Sequence, residues 1–181
     1  IQGLSSTGNV SMSISGDNDA PVLTGANNFT SLSEGQVNNL GNLVSDLISG
    51  HVTDVDQSSL QGIAVTGLTT AGGTWESSTN SGSVWTPVGI VSNSSALLLR
   101  AGDRLRFVPS GISSASVTFR AWDRTSGAAF SKVAITNIGG TTAFSNGNAT
   151  ATISVTYDND HPTANDDTAS TTENSSVTKN V

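Results

Sequence analysis

The tripeptide Asp-Asn-Asp occurs twice, at residues 17–19 and 158–160, and each copy is followed two residues later by a proline. The copies are 141 residues apart (158 minus 17), which is a usual length for one domain. Two carboxylates and a carboxamide in three residues offer oxygen ligands to a hard cation, and the proline stiffens the chain that leaves them. The repeat predicts one complete module, bounded on both sides by calcium-binding linkers.

The similarity extends to the segments on both sides of the tripeptide. Residues 8–15 and 147–156 alternate apolar and polar side chains, which predicts a strand that leads into each linker. A Ser- or Thr-rich segment with a glutamate follows each copy, at residues 31–35 and 171–174. Self-similarity at a long fixed period indicates a tandem array. We therefore expect the last strand of a preceding repeat or a linker at 1–16, the module at 17–162, and the start of a following repeat at 163–181.

The distribution of apolar residues predicts the fold class. Valine, isoleucine, leucine and phenylalanine occur in short alternating runs between polar turns, as in residues 117–122 and 149–157. Many short strands with polar turns favour an all-β, Greek-key β-sandwich. The chain has no cysteine, so neither disulfides nor thiolate metal sites hold it together. No segment approaches the run of about 20 apolar residues that membrane insertion requires.

Two local features add to this architecture. Helical spacing of five apolar residues before Gly50 allows one short helix, built on Leu40, Leu43, Val44, Leu47 and Ile48. Residues 74–79 and 83–86 flank Asn-Ser-Gly at 80–82, which predicts a β-hairpin. This hairpin lies in the segment 69–95, which we call the insertion.

The acidic residues are clustered rather than scattered. The formal net charge is −7, which argues against nucleic acid as a partner. Most of the carboxylates lie in or beside the two linkers and in two short motifs, whereas Asp46 and Asp103 are expected to be cap or turn residues. A close pair of like charges costs about 1 kcal/mol even in water. A divalent cation would offset that cost.

Three motifs, taken together, resemble those of cadherin repeats. Residues 53–56 resemble the Asp-x-Asp motif, residues 121–127 the Ala-x-Asp-x-x-Gly motif, and residues 153–162 the final strand with its linker. Glu34 resembles the glutamate of the first strand. The Ser/Thr/Asn/Gly-rich composition, and the segment 165–169 in particular, look like the bacterial cadherin-like repeats of large surface adhesins, including the repeats-in-toxin class. The resemblance implies a cadherin- or immunoglobulin-like sandwich.

The resemblance also implies Ca²⁺ as the cofactor and divides its ligands between two ends of the module. The cluster at the N-terminal end would comprise Asp17, Asn18, Asp19, Asp54, Asp56 and Asp123. The cluster at the C-terminal end would comprise Glu34, Asp158, Asn159 and Asp160. Oxygen donors suit calcium, whereas zinc prefers histidine or cysteine, and the two histidines, His51 and His161, are far apart in sequence.

The implied function is that of a non-catalytic extender domain in a secreted bacterial cell-surface adhesin, active in cell adhesion and biofilms. Its partners would be the neighbouring repeats of the same chain, which Ca²⁺ at the linkers would hold rigid. No cysteine nucleophile is present and neither histidine lies in a catalytic signature, so we do not expect an enzyme. The alternative is a binding module for a cell-surface glycan or protein, in which Trp75 and Trp85 of the insertion contact the ligand. Against this, residues 78–85 resemble the Asp-box hairpin, whose tryptophan packs beneath its own turn.

Overall fold

The protein is described by a computed structural model over residues 16–56, 59–159, 172–174, 176 and 178. The strand predicted for residues 8–15, the linker residue Asp160 and most of 163–181 lie outside the described residues. The strands are β1 (Val22–Leu23), β2 (Leu32–Ser33), β3 (Asn42–Leu43), β4 (Val52–Thr53), β5 (Gly62–Thr69), β6 (Gly73–Ser78), β7 (Thr86–Pro87), β8 (Ala96–Arg100), β9 (Arg104–Pro109), β10 (Ser113–Trp122), β11 (Lys132–Val133) and β12 (Ala149–Thr156). One helix, α1 (Val44–Ile48), follows β3 directly.

The larger sheet has six strands in the order β11-β8-β5-β10-β12-β2. The long strand β10 lies inside this sheet and pairs antiparallel with both β5 and β12. At the edge, β12 pairs in parallel with β2, with Val155 opposite Leu32. Strand β12 alternates as the sequence predicts, with Ala151, Ile153 and Val155 buried and the residues between them exposed. One face of the sheet is therefore fixed toward the core.

A four-stranded sheet, β3-β9-β6-β7, packs against the larger one, and β1 pairs separately with β4. Leu105 and Phe107 of β9 and Trp75 of β6 share a buried cluster with Val117 and Phe119 of β10. The core thus lies between two layers of strands, which confirms the predicted all-β sandwich. The first apolar segment forms two separate short strands, because β1 pairs with β4 whereas β2 pairs with β12.

The predicted helix is present but shorter than its apolar spacing suggested. Leu40 lies outside it and is 71% exposed, because Gly41 adopts a left-handed backbone (φ 60°) before the helix begins. The Asp46 carboxylate accepts the Leu43 N–H at 3.3 Å, as expected of a cap residue. Gly50, at φ 78°, lies just beyond the helix end. Among the described residues no helix is long and apolar enough to cross a membrane.

A second, smaller cluster covers the outer face of the six-stranded sheet. In β8, Leu97 and Leu99 face the main core, whereas Leu98 points to the other side and packs with Trp122 and Phe144. Phe144 belongs to residues 123–148, which contain only the two-residue strand β11 and cross this outer face. The sheet is consequently buried on both sides near β5 and β8.

The close approach of this covering segment to the sheet can be tested at Gly127. Its backbone is left-handed (φ 83°), and an added Cβ would lie 2.5 Å from Cδ1 of Leu98. We expect Gly127→Ala to lower the free energy of unfolding by about 2–3 kcal/mol, through backbone strain and overpacking together. Urea unfolding provides the measurement.

Gly50→Ala is the matched control, because Gly50 is also left-handed (φ 78°) but an added Cβ would meet nothing within 4 Å. Its loss should be about 1 kcal/mol, from backbone strain alone. Equal losses for the two variants would contradict tight packing of Gly127 on Leu98.

Candidate functional site

The strands bring the predicted N-terminal ligands to one end of the sandwich. β10 ends at Trp122, so Asp123 is the first residue after it. β4 ends at Thr53 and is followed by Asp54 and Asp56. The turn between β8 and β9 lies at the same end, because Gly62 of β5 pairs with both Arg100 and Trp122. We call this end the leading pole and define it as residues 17–19, 54–56, 100–103 and 123–125.

Asp123 is the most buried of the predicted ligands, with 3% of its surface exposed. Its Oδ1 accepts hydrogen bonds from the Thr125 backbone N–H at 2.8 Å and from the Thr125 hydroxyl at 2.6 Å. Its Oδ2 accepts the Asn18 side-chain N–H at 2.8 Å. Asn18 also donates to the Thr142 carbonyl at 3.2 Å. The first Asp-Asn-Asp segment is therefore attached directly to the end of β10.

A second chain of hydrogen bonds joins the linker to the segment that follows β4. Asp54 Oδ1 accepts the Asp56 backbone N–H at 2.9 Å, and Asp56 Oδ2 accepts the Asp19 backbone N–H at 2.8 Å. The next residue, Ala20, donates its N–H to the Gly140 carbonyl at 2.7 Å. The Asn18 side chain and the Asp19 backbone N–H thus join the linker to Asp123 and Asp56 at the leading pole.

The donor atoms at the leading pole are of the kind that calcium prefers. Carboxylates, a carboxamide and backbone carbonyls are hard oxygen ligands, and calcium takes about six to eight of them. Within residues 16–56 and 59–159, no three His, Asp or Glu side chains are arranged to hold a metal ion. The carboxylates of Asp54, Asp56 and Asp123 accept N–H and O–H groups instead. The donor set fits calcium, and binding would require these carboxylates to turn from their hydrogen-bond donors toward the ion.

Asp103 belongs to the leading pole but has a structural role. It is 2% exposed, and its Oδ2 accepts the Arg100 backbone N–H at 2.7 Å across the tight turn between β8 and β9. Its Oδ1 also accepts the Arg100 guanidinium at 2.9 Å. The hydrogen bond and the charge of Asp103 raise the pKa of Arg100 further above its ordinary value, so this arginine stays charged. The interpretation of Asp103 as a turn residue is confirmed.

The opposite end carries the remaining predicted ligands, and we call residues 33–35, 109–111 and 156–159 the trailing pole. The Ser33 hydroxyl donates to Asp158 Oδ2 at 3.2 Å, and the Glu34 backbone N–H donates to the Thr156 carbonyl at 3.0 Å. Glu34 and Asp158 line one cleft of about 350 Å³ together with residues 109–111. Asn159 is exposed, and Asp160 lies outside the described residues.

The two poles are too far apart to form one site. Ser113, the first residue of β10, pairs with Val155 near the trailing pole, and the strand runs ten residues to Trp122 at the leading pole. At 3.2–3.4 Å per residue, the strand spans roughly 30 Å. Each pole must therefore complete a metal site with groups at its own end.

The two tryptophans of the insertion are placed differently. Trp75 is 2% exposed, packs between Phe29 and Phe107 at ring-centroid distances of 4.8 and 5.0 Å, and donates its indole N–H to the Thr69 carbonyl. These contacts are those of a core residue and count against the alternative in which Trp75 contacts a ligand. Its edge reaches an apolar cleft of about 440 Å³, beside the exposed Ile90.

Trp85 closes the predicted hairpin and is only partly buried. Its ring lies 3.3 Å from the position that a Cβ on Gly82 would take, so it packs against its own turn. The turn is held by Asn80, whose Oδ1 accepts the Val84 N–H at 2.9 Å, and Ser78 accepts the Gly82 N–H at 3.0 Å. The Arg106 guanidinium covers the ring at 4.2 Å from its centroid. These contacts favour a structural role for Trp85.

Two parts of the leading pole were not predicted from the sequence. The carbonyl of Thr142 meets Asn18 although it is 124 residues away, and no local motif indicated this contact. Arg124 lies in the left-handed region (φ 70°), which the sequence pattern of residues 121–127 did not reveal.

Comparison of the chain with protein-family models, with curated proteins and with solved structures returns no match.

Proposed function

We propose that this chain is a non-catalytic, calcium-binding spacer module of a large bacterial cell-surface adhesin, located outside the cell between repeats of the same protein. The observation that supports it best is the attachment of the first Asp-Asn-Asp segment to the module's own acids. Asn18 bonds Asp123, and Asp19 bonds Asp56. The linker, which would also belong to the preceding repeat, is thereby held against the leading pole.

The proposed action follows from the charges at each joint. By residue type the leading pole has six carboxylates and two guanidiniums, a formal charge of −4 (two minus six), and the preceding repeat adds the carboxylate of its Glu34, since its Asp158 corresponds to Asp17. Without a cation these groups repel one another and the joint flexes. Calcium supplies positive charge that neutralises them. The ligands at each joint would be Asp54, Asp56 and Asp123, Glu34 of the preceding repeat, and one shared linker, which is Asp17, Asn18 and Asp19 of this repeat and corresponds to Asp158, Asn159 and Asp160 of the preceding one.

The test is a duplicated protein, in which the full chain contains residues 17–157 twice in succession. A single Asp-Asn-Asp linker then lies between the two copies. It ends the first copy and begins the second. We expect saturating calcium to increase the radius of gyration in small-angle scattering relative to chelator, because the joint straightens. We also expect the melting temperature to rise by about 5–10 °C, since binding to the folded state alone contributes about 2.7 kcal/mol at a hundredfold excess over Kd.

Asp56→Asn placed in only one of the two copies gives a matched control. In the second copy the change lies at the joint and should abolish the increase in radius of gyration. In the first copy it lies at a free end and should leave that increase intact. Identical dimensions of the unsubstituted duplicated protein in calcium and in chelator would refute the proposal.

The alternative of a glycan-binding module has less support from the described residues. It relied on tryptophan faces in the insertion, but Trp75 is buried and one face of Trp85 is covered by Arg106. The cleft beside Trp75 is mainly apolar and is lined by Leu68, Pro87, Ile90 and Val91. Such a lining offers few of the hydrogen-bonding groups that a sugar requires.

A further inference from the structure

A second pocket lies at the leading pole, beside the acidic network and separate from it. It has a volume of about 310 Å³ and is lined by Thr79 at the end of β6, by the turn at residues 100–103 and by Arg124. Two guanidinium side chains therefore face the same space. Arg100 is fixed there by the buried Asp103, which leaves the charge of Arg124 uncompensated within the pocket.

Arg124 differs from every other described arginine and lysine in its contacts. Each of the others has a hydrogen bond or ion pair: Arg100 with Asp103, Arg104 with the Leu40 carbonyl, Arg106 with Glu76, Arg120 with the Ser145 carbonyl and Lys132 with the Ile90 carbonyl. Arg124 has none within the described part of the chain. It also occupies a left-handed backbone position that glycine or asparagine would adopt more easily. A free guanidinium held at a strained position favours an interaction with a partner.

The trailing pole offers complementary chemistry. Its cleft contains the carboxylates of Glu34 and Asp158 and no arginine or lysine among its lining residues. The guanidinium group of arginine binds carboxylates through two parallel hydrogen bonds. The pocket that contains Arg124 and the cleft that contains Glu34 are therefore complementary in charge and in hydrogen-bonding groups. They lie roughly 30 Å apart along β10 in one module and cannot meet within it. They would face each other only when modules follow head to tail.

The contact between the two poles requires that the negative charge of the leading pole first be neutralised. The leading pole is acidic overall, so it repels the acidic trailing pole until a cation neutralises Asp54, Asp56 and Asp123. Neutralisation would leave Arg124 as the attractive part of the surface, because Arg100 is paired with Asp103. The cation and the arginine contact should therefore strengthen each other, and by thermodynamic linkage the effect is reciprocal.

We propose that Arg124 binds Glu34 of the preceding module and thereby fixes the rotation of each module about the array axis relative to the module before it. This inference rests on the proposed calcium joint and adds a direct contact between the two modules, in which Glu34 contacts Arg124 as well as the ion. Its occupant is a further copy of the module.

The test uses the duplicated protein with Arg124→Gln in either the second or the first copy. In saturating calcium, the second-copy change should broaden the distance distribution between spin labels on the two copies. It should also weaken calcium affinity at the joint roughly three- to tenfold. The first-copy change, which has the same effect on the fold but faces no module, should leave both unchanged.

Three results would overturn the inference. If calcium stiffens the unsubstituted duplicated protein but first- and second-copy Arg124→Gln behave alike, the arginine contact is absent and the calcium joint stands. If calcium leaves the unsubstituted protein flexible, the calcium joint and this inference both fail. If sub-millimolar sulfate shifts the Thr79 and Arg124 amide resonances of the single chain, the pocket holds a free anion instead.

Discussion

Replacing Trp75 with alanine should lower the free energy of unfolding by about 3–5 kcal/mol, whereas Trp85→Ala should lower it by only about 1–2 kcal/mol. Trp75 is 2% exposed and lies between Phe29 and Phe107, so its removal leaves a cavity in the main core. The Thr69 carbonyl also loses its indole N–H donor. Trp85 loses its contact with Gly82 and with the Arg106 guanidinium, both near the surface.

Urea unfolding followed by circular dichroism measures both losses without relying on tryptophan fluorescence. Val84→Ala, at a side chain that is 61% exposed beside Trp85, controls for changes in the hairpin itself and should cost less than about 0.5 kcal/mol. A Trp85→Ala variant of unchanged stability that no longer bound a glycan would reverse our interpretation. It would restore the ligand-binding reading of the insertion.

The sandwich was predictable because its long strands are amphipathic. Ile153 and Val155 alternate with polar residues in β12, and β10 has the same two-residue period. In both segments this alternation predicts a β-strand and identifies the face that is buried. The outer cluster was not predictable on these grounds. Ala143 and Phe144 are isolated apolar residues in a Gly/Ser/Thr-rich segment, and only the folded sheet shows that Leu98 and Trp122 are available to pack against them.

The candidate site was predictable in its residue types and less so in its geometry. The resemblance carried by the repeated tripeptide and the two Asp motifs implied that Asn18 and Asp19 would lie with Asp56 and Asp123. The direction of each carboxylate depends on nearby N–H groups, such as those of Asp19 and Thr125, whose positions follow from the backbone path. No spacing rule specifies that path. The free guanidinium of Arg124 was missed for the same reason.

Removing the Asp123 carboxylate should destabilise the module by about 3–4 kcal/mol in chelator and should also remove its stabilisation by calcium. Asp123 is 3% exposed and accepts three hydrogen bonds, so Asp123→Ala removes a buried carboxylate together with the acceptor of the Thr125 and Asn18 donors. Asp56→Ala differs, because its carboxylate is partly exposed and accepts the Asp19 N–H. It should cost about 1 kcal/mol in chelator while also removing the calcium effect.

Urea titrations of four versions of the single chain, each in saturating calcium and in chelator, separate the structural role of these carboxylates from their role in binding the metal. The unsubstituted protein should gain about 2–3 kcal/mol from calcium, and Asp158→Ala, at the opposite pole, should keep that gain. Asp56→Ala and Asp123→Ala should both lose it, and they should differ from each other by about 2–3 kcal/mol under both conditions. A calcium gain that survives both substitutions would place the ion away from the leading pole. The absence of a gain in the unsubstituted protein would mean that the hydrogen-bonded network of Asn18, Asp19, Asp56 and Asp123 holds the linker without a metal.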